Sequence, residues 1–458
     1  MQIESSSSVF ELLAKPVRKA LAELGFSQPT LPQTLAFPPV LEGKNVLLIA
    51  PTGTGKTEAV LLPIFSKLVE QKNQDQKGIQ VIYITPLRAL NRDMFKRLTF
   101  WSQQLDITVE VRHGDTEMKI RRKQAIKPPQ MLVTTPETLQ AILPGSQMRR
   151  HLSNVQCVII DEVHDLAESK RGAQLTIALE RVFEVKGKEV QRIGLSATVG
   201  NPTEVAHFIA GTNREISIVQ AVLAKNYLYR VEYLTPTEKD FELAAKLETT
   251  PEAAARIRRL TELIDTHKST LVFVNSRTIA ELLGHRFDQL NRTDISVHHG
   301  SLSREERVLT EDAFKAGTLK AIICTSTLEL GIDIGNVDLV IQYMSPRQVS
   351  SLIQRVGRSG HSLERLSEGV IVTAYPDDTL ESMAAVNNAK ANKIEPVNFH
   401  KNALDVLAHQ IAGILMDKET ITQKELLTII QRAYPYSTLT EEKPVSYTHL
   451  TLPTIYSV

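Results

Sequence analysis

Short apolar runs alternate along the first half of the chain with longer segments that have apolar residues at helical spacing. The runs cover 45–49, 81–85, 131–135, 155–160, 192–197 and 215–219. Consecutive apolar positions place side chains on both faces of a strand, so such strands are buried on both sides. The pattern therefore predicts a parallel sheet with helices on both faces.

The same pattern begins again after 219–233. A second set of apolar runs covers 270–274, 295–298, 321–325, 339–343 and 370–373. From Ala391 to about Glu442 the spacing becomes helical throughout, which is typical of the start of a small helical or winged-helix module. We predict two tandem doubly wound α/β domains, each a parallel-sheet domain, followed by a short helical segment. The predicted bounds are 1–220, 221–390 and 391–444.

The composition limits the choice of partners and compartment. A chain of 458 residues suits two or three domains, and its formal charge of +1 provides no overall basic field, so contacts with nucleic acid depend on local placement of Arg and Lys. Cys157 and Cys324 are the only cysteines, and both lie in apolar runs, as expected for buried reduced thiols in a cytoplasmic protein. We find no signal peptide and no apolar run long enough to cross a membrane.

The last residues differ from the rest in charge and periodicity. Within the stretch 445–458, VSYTHLTLPTIYSV, the residues 445–454 would be encoded by codons that resemble a sequencing-library adapter. We therefore expect a non-native tail there, with the natural protein continuing past about Lys443 into further domains.

The stretch APTGTGKT, residues 50–57, follows the first apolar run and precedes a helical segment. It matches the phosphate-binding pattern G-x-x-x-x-G-K-[ST] except that Ala50 replaces the first glycine. A glycine-rich loop can turn backbone N–H groups around phosphate oxygens, and the start of a helix adds positive potential. Lys56 is predicted to reach the β- and γ-phosphates and Thr57 to bind magnesium. The predicted nucleotide-contacting residues of the loop are Thr52, Gly53, Thr54, Gly55, Lys56 and Thr57.

Two acidic residues follow the run at 155–160. Asp161 and Glu162 begin the sequence DEVH at the end of a predicted strand, beside the phosphate loop of a doubly wound sheet. Asp161 can bind the same magnesium ion as Thr57, and Glu162 can orient or deprotonate the attacking water.

A pair of arginines in the second half, Arg355 and Arg358, lies in the sequence QRVGRSGH. Phosphoryl transfer is accelerated by a cation supplied to the developing charge. At spacing i, i+3 the two guanidinium groups share one face of a helix and are predicted to reach the nucleotide.

Taken in chain order, the motifs resemble those of superfamily 2 helicases of the DEAD/DEAH type. They are Gln33, APTGTGKT, TPLRAL at 85–90, TTPETL at 134–139, DEVH, SAT at 196–198, VFVNSR at 272–277, TSTLELGIDIG at 325–335 and QRVGRSGH. The sequences LSATVGNP, HHGSLS and LELGIDIG are similar to those of the large helicase-related (Lhr) family, which is close to the Ski2-like helicases. His361 stands where many relatives have Arg.

The resemblance implies two RecA-like domains with ATP and Mg2+ between them, and it implies roles for individual residues. Gln33 reads adenine, Gly331 and Asp333 contact the nucleotide, and His164, Ser196, Thr198 and Gln354 couple hydrolysis to movement. The implied single-strand path in the first domain consists of Thr85, Pro86, Arg88, Thr135, Pro136 and Glu137. In the second domain it consists of Asn275, Arg277, His299, Gly300, Thr325 and Ser326.

The implied function is an ATP-dependent helicase or translocase that moves 3′ to 5′ on single-stranded DNA. It would unwind DNA duplexes or RNA–DNA hybrids, with a role in DNA repair. Two alternatives remain. One is an RNA helicase or annealing factor that acts on single-stranded RNA with the same residues, and the other is a slow nucleotide-gated nucleic-acid-binding scaffold. A membrane partner is not expected, and the sequence does not identify protein partners.

Three further features favour ordinary structural roles. The basic run 121–123 is expected to be a solvated helix face. The pair His298 and His299 lacks further metal ligands. Trp101 is expected to pack in the core.

Overall fold

The computed structural model describes residues 8–51, 53–71, 78–86, 92–221, 226–329, 334–360, 366–418 and 420–440. The chain forms two compact units. Unit 1 contains the described residues of 8–50, 54–221 and 396–440. Unit 2 contains 51, 53 and the described residues of 226–395.

Unit 1 is built on a seven-stranded sheet in which all paired strands are parallel. The strands are β1 (Val46–Ile49), β2 (Val81–Ile84), β3 (Val109–Arg112), β4 (Met131–Thr134), β5 (Cys157–Ile160), β6 (Gln191–Ser196) and β7 (Ser217–Gln220). Their order across the sheet is β3-β4-β2-β5-β6-β1-β7. The strands β4, β2, β5, β6 and β1 are therefore consecutive neighbours.

Helices cover both faces of this sheet. They are α1 (Lys15–Glu23), α2 (Leu31–Leu41), α3 (Lys56–Glu70), α4 (Arg92–Leu105), α5 (Met118–Ile126), α6 (Pro136–Ile142), α7 (Ser146–Leu152), α8 (Val163–Ala167), α9 (Lys170–Lys186) and α10 (Pro202–Ala210). One apolar cluster includes Leu48, Phe65 and Trp101, and a second includes Leu47 and Phe208. The prediction that Trp101 packs in the core is confirmed, since it is 3% exposed.

Unit 2 repeats the architecture with a six-stranded parallel sheet. Its strands are β8 (Tyr227–Tyr233), β9 (Thr270–Phe273), β10 (Ile295–His298), β11 (Ala321–Cys324), β12 (Leu339–Tyr343) and β13 (Ser367–Thr373), in the order β10-β11-β9-β12-β13-β8. Its helices are α11 (Glu238–Lys246), α12 (Pro251–Thr266), α13 (Arg277–Gln289), α14 (Arg304–Lys315), α15 (Val349–Val356) and α16 (Pro376–Lys390). Two apolar clusters cover the sheet faces, one with Val272 and Ile341 and the other with Phe273 and Ile371.

The prediction of two doubly wound parallel sheets is confirmed, and the apolar runs form all the inner strands and two of the four edge strands, β7 and β10. Two strands were not predicted, β3 and β8. Both lie at an end of their sheet, where only one neighbouring strand covers them. The residues of β3 are all half-buried, and exposed positions recur along β8, so neither strand is buried on both faces along its length.

The C-terminal helical segment, defined here as the described residues of 396–440, packs on unit 1. It contains α17 (Leu404–Lys418), α18 (Gln423–Gln431) and a 3-10 turn at Tyr434–Tyr436. Its apolar residues form a cluster with Ala173 and Ile177 of α9. The helical character is as predicted, whereas the winged-helix assignment and the domain bounds stay predictions.

Buried ion pairs hold this segment on α9. Arg181 donates from Nε and Nη2 to the two carboxylate oxygens of Asp417, at 2.7 and 3.0 Å, and both side chains are at most 5% exposed. The fully buried carboxylate of Glu180 pairs with Arg192, Arg214 and Arg432. The segment and α9 therefore share a charge network as well as an apolar cluster.

Both cysteines are buried free thiols, as predicted. Burial raises the pKa of the Cys157 thiol to about 12. In the part of the chain that is described, no helix combines the length and the apolar character that a membrane crossing requires.

Candidate functional site

The predicted phosphate loop leads from β1 into α3. Gly53 and Gly55 both have positive φ, 79° and 84°, which glycine adopts without steric cost. A Cβ on Gly55 would lie 3.5 Å from Nε2 of Gln33 and 3.3 Å from Oγ1 of Thr30. The predicted adenine-reading residue therefore lies against the loop.

Gln33 is held by the first turn of α2. Its Oε1 accepts a hydrogen bond from the backbone N–H of Thr30 at 2.9 Å, and the side chain is buried. This bond fixes the carboxamide, whose Nε2 faces the loop.

The acidic motif follows β5, and its backbone is unusual. Asp161 receives two hydrogen bonds, from the Tyr83 hydroxyl to Oδ2 at 2.7 Å and from the Glu162 N–H to Oδ1 at 3.0 Å. Glu162 has φ 46° and ψ 51°, the left-handed region that non-glycine residues seldom adopt. Such conformations persist where the surrounding structure enforces them, and they concentrate at functional sites.

Burial and neighbouring charges shift the pKa of Asp161 and that of its hydrogen-bond partner Tyr83. Burial, followed by the charge of Glu162, raises the pKa of Asp161 to about 6. Burial and the neighbouring Asp161 raise the pKa of the Tyr83 hydroxyl well above its usual value, so this group stays a donor.

His164 joins the acidic motif to the end of β6. Its Nδ1 accepts a hydrogen bond from the Ala197 N–H at 3.3 Å and lies 3.2 Å from Oγ of Ser196. Burial lowers the pKa of His164, so the ring is neutral and its proton is on Nε2, which lies 3.7 Å from Oε2 of Glu162. The structure therefore brings three predicted residues together, Glu162, His164 and Ser196.

The residues present fit a phosphate-containing nucleotide. Lys56 is 8% exposed, and its Nζ makes no hydrogen bond to any described residue. An ammonium group buried in this way requires an anion to offset the loss of hydration. Lys56 is the first residue of α3, and the helix dipole favours negative charge at this end of the helix.

The first-unit part of the predicted strand path follows β2 and β4. Thr85 donates its N–H to the Thr134 carbonyl at 3.0 Å, so the two segments lie side by side. Thr135 caps α6 by accepting from the Thr138 N–H, and Pro136 is the first residue of that helix. Glu137 accepts a hydrogen bond from Nε of Arg171, which lowers the pKa of Glu137 although burial opposes the shift.

In unit 2, the predicted path residues follow β9, β10 and β11. Asn275 donates to the Ser345 carbonyl at 2.8 Å, and Arg277 donates to Oγ of Ser301 at 3.0 Å. His299 pairs through Nε2 with Glu281. Gly300 follows His299 directly, and Thr325 and Ser326 lie at the end of β11, where the Thr325 N–H donates to the His298 carbonyl.

The adjacent histidine also has local partners. His298 bonds Thr327 through Nδ1 and Glu311 through Nε2. Across the described ranges, no group of three or more His, Cys, Asp or Glu is arranged to hold a metal ion.

Arg355 and Arg358 are both buried in unit 2 and converge on Glu329. Arg355 donates from Nε and Nη2 to Oε2 of Glu329, at 3.2 and 3.1 Å, and from Nη1 to Gln342 at 2.7 Å. Arg358 donates from Nη2 to the Glu329 carbonyl at 2.6 Å. The prediction that both lie on one helix face is wrong, because α15 ends at Val356 with Gly357 as its C-cap. Their contact with a nucleotide stays a prediction.

Of the remaining predicted residues, four lie in the described part of the chain and four do not. Thr198 and Gln354 are half-buried, and Thr54 and Thr57 flank Gly55 and Lys56 in the loop and first turn of α3. Thr52, Arg88, Gly331 and Asp333 lie outside the described residues, as do His361 and the tail 445–458.

Sequence reasoning missed several residues that hold the site. Tyr83 had a usable signal, since a tyrosine in an apolar strand needs a partner for its hydroxyl. Glu329 and Arg171 had no local signal, because their partners are distant along the chain.

Comparison with known proteins identifies the family. The DEAD/DEAH box helicase family matches residues 30–205, and the helicase conserved C-terminal domain matches residues 255–362. The ATP-dependent helicase Lhr-Core of Methanocaldococcus jannaschii is 36% identical over 452 residues, covering 96% of this chain and 52% of that protein. The chain belongs to the superfamily 2 DEAD/DEAH-type helicases, in the Lhr family.

A solved structure supports the same family assignment. The structure of Mycobacterium smegmatis helicase Lhr bound to ssDNA and AMP-PNP aligns with a TM-score of 0.83 and 35% identity, covering 95% of this chain and 57% of that one. The DUF1998 helicase MrfA, at 22% identity and a TM-score of 0.74, shares the fold. The chain spans about half the length of the Lhr-Core proteins that it matches.

Proposed function

We propose that this Lhr-family chain is an ATP-dependent translocase and helicase on single-stranded DNA. One observation carries the proposal: the predicted ATP and strand residues of unit 1 follow five neighbouring strands. In sheet order they are Thr135 after β4, Thr85 after β2, Asp161 after β5, Ser196 at the end of β6 and the phosphate loop after β1. Ligands of doubly wound sheets bind beyond the carboxyl ends of the strands.

The proposed chemistry is hydrolysis of ATP. Lys56 would bind the β- and γ-phosphates, Thr57 and Asp161 would hold Mg2+, and Glu162 would orient the water that attacks the γ-phosphate and accept its proton as ADP leaves. Magnesium, when bound, neutralises the charge that develops on the phosphate oxygens. Tyr83 supports this arrangement by fixing the carboxylate of Asp161 through the 2.7 Å hydrogen bond.

DNA is favoured over RNA by the relative at 35% identity, whose structure contains ssDNA. The structures with ssRNA are 17–22% identical to this chain and bear on the fold alone. We include in the proposal 3′ to 5′ movement, unwinding of DNA duplexes or RNA–DNA hybrids, and a role in DNA repair. We place this activity in the cytoplasm, where reduced thiols such as Cys157 and Cys324 persist.

The test measures ATP hydrolysis by the full chain without nucleic acid, with single-stranded DNA and with single-stranded RNA. Lys56→Ala is expected to lose ATP binding and hydrolysis, whereas Glu162→Gln is expected to bind ATP and lose hydrolysis by about 10³-fold or more. Unchanged turnover in Glu162→Gln overturns the assignment of the base. Hydrolysis that neither strand stimulates overturns the proposal of a translocase and favours the slow scaffold.

Partially single-stranded duplexes with a 3′ or a 5′ tail test direction and substrate. Displacement only from the 3′-tailed DNA or hybrid supports the proposal. Displacement only of RNA duplexes favours the RNA helicase.

A further inference from the structure

Arg171, in the first turn of α9, joins the two first-unit segments of the predicted strand path. Its Nη2 donates to the Pro86 carbonyl at 2.6 Å, and its Nε donates to the Glu137 carboxylate. Pro86 and Glu137 belong to different motifs, TPLRAL and TTPETL, and Arg171 belongs to neither. Its position was not indicated by any sequence pattern.

Among the described residues, the guanidinium group of Arg171 keeps one nitrogen, Nη1, without a hydrogen-bond acceptor. Arginine has five N–H donors, and within the described part of the chain Nη1 of Arg171 makes no hydrogen bond. The side chain is 43% exposed. A partly exposed guanidinium edge suits a phosphate oxygen, which accepts charge-assisted hydrogen bonds from arginine.

The charge of Glu137 is a second reason to expect a role for Arg171 beside the strand. Glu137 lies in the predicted strand path, and an unpaired carboxylate there would repel the backbone phosphates. Arg171 pairs with it and lowers the pKa of Glu137. An ion pair with side chains 43% and 49% exposed adds roughly 1 kcal/mol or less to stability, so folding alone does not explain its placement.

The backbone beside Arg171 brings the start of α9 close to the end of α8. A Cβ on Gly172 would lie 2.0 Å from the Leu166 carbonyl oxygen and 2.9 Å from the Phe208 ring. Only glycine allows α9 to start this close to the end of α8. Ser169 fixes the same turn by accepting from the Gly172 N–H and donating to the Leu166 carbonyl at 2.8 Å. The acidic motif and Arg171 are therefore connected by a short, rigid segment.

We infer that Arg171 is a further nucleic-acid-binding residue, which contacts a backbone phosphate of the single strand through Nη1 while it holds Glu137 neutralised. The inference deepens the proposed function and rests on it.

The test compares binding of oligo-dT by the full chain and by four variants over a range of salt concentrations. Arg171→Ala is expected to raise the Kd at least about tenfold. The decisive pair is Glu137→Gln and the double variant Arg171→Ala with Glu137→Gln, because neither contains the repulsive carboxylate. If Arg171 contacts a phosphate, the double variant binds more weakly than Glu137→Gln, and its slope of log K against log salt is smaller by about 0.7.

Lys170→Ala is the matched control, since it removes the neighbouring positive charge, which pairs with Asp405 instead. It is expected to change the Kd less than about twofold. Melting temperatures and ATP affinity confirm that each variant is folded, and Arg171→Gln replaces Arg171→Ala if the latter does not fold.

Equal Kd values and slopes for Glu137→Gln and the double variant overturn the inference and leave Arg171 as the ion-pair partner of Glu137 alone. Absence of binding by the unmodified chain contradicts the proposed function itself, so the two failures are distinguishable.

Discussion

The imidazole Nδ1 of His164 lies 3.2 Å from the hydroxyl oxygen of Ser196, and it accepts the N–H of Ala197. These contacts join the acidic motif after β5 to the segment after β6 without an intervening side chain. Because Oε2 of Glu162 also lies 3.7 Å from Nε2 of the ring, Glu162 is linked through His164 to the backbone of 196–197.

We expect His164→Ala to separate hydrolysis from movement. The variant loses the acceptor for the Ala197 N–H and keeps Lys56, Asp161 and Glu162. ATP hydrolysis without DNA should change by less than about threefold, while strand displacement per ATP hydrolysed falls about tenfold. Parallel measurement of hydrolysis and displacement decides this. An equal fall in both rates contradicts the prediction.

Arg355→Ala is expected to destabilise unit 2 as well as impair hydrolysis. The substitution leaves Glu329 buried without its guanidinium partner, which costs about 3–5 kcal/mol. Urea unfolding of the full chain measures the loss. The control is Arg230→Ala, whose pair with Glu368 is more exposed and is worth at most about 1 kcal/mol. Comparable stability of the two variants would show that Arg355 has no structural role.

Asp417→Ala is expected to release the C-terminal helical segment from α9. If the segment stayed packed, Arg181 would lose both carboxylate bonds while still buried, at a cost of about 3–5 kcal/mol, and this cost favours release of the segment. Limited proteolysis within 396–440 and chemical unfolding report the change. Asp405→Ala is the matched control, because its pair with Lys170 is exposed and contributes at most about 1 kcal/mol. Similar protease sensitivity of the two variants argues against the buried pair as the anchor.

The pair of Asp240 and Arg258 predicts an acid-dependent loss of stability. Hydrogen bonds from Arg258 lower the pKa of Asp240 to about 2. Because the folded value is below the usual value of about 4, the stabilisation is complete above pH 4 and disappears as the pH falls towards 2.

Asp240→Asn removes this titration. The melting temperature of the unmodified chain should exceed that of the variant at pH 6, and the difference should shrink between pH 4 and pH 2. A difference that stays constant with pH contradicts the assignment.

The inner strands and the nucleotide loop were predictable because their signals are local. Burial on both faces requires consecutive apolar residues such as Val81–Ile84, and a phosphate loop requires glycines at 53 and 55. The edge strand β3 lacks that burial, so its sequence resembles a loop. The partners of the site were not predictable, because Glu329 and Arg355 meet only after β11 and α15 pack in one unit.

The position of unit 2 in the chain has a consequence for synthesis. The sheet of unit 1 is complete at Gln220, but the helices that cover Ala173 and Ile177 begin only at Leu404, after all of unit 2. At about 5–20 residues per second, a ribosome needs roughly 10–40 s to make the intervening chain. During that interval Arg181 lacks its partner Asp417 and Glu180 lacks Arg432, although Glu180 still has Arg192 and Arg214 from the same unit. The last helices of unit 1 are therefore made only after all of unit 2.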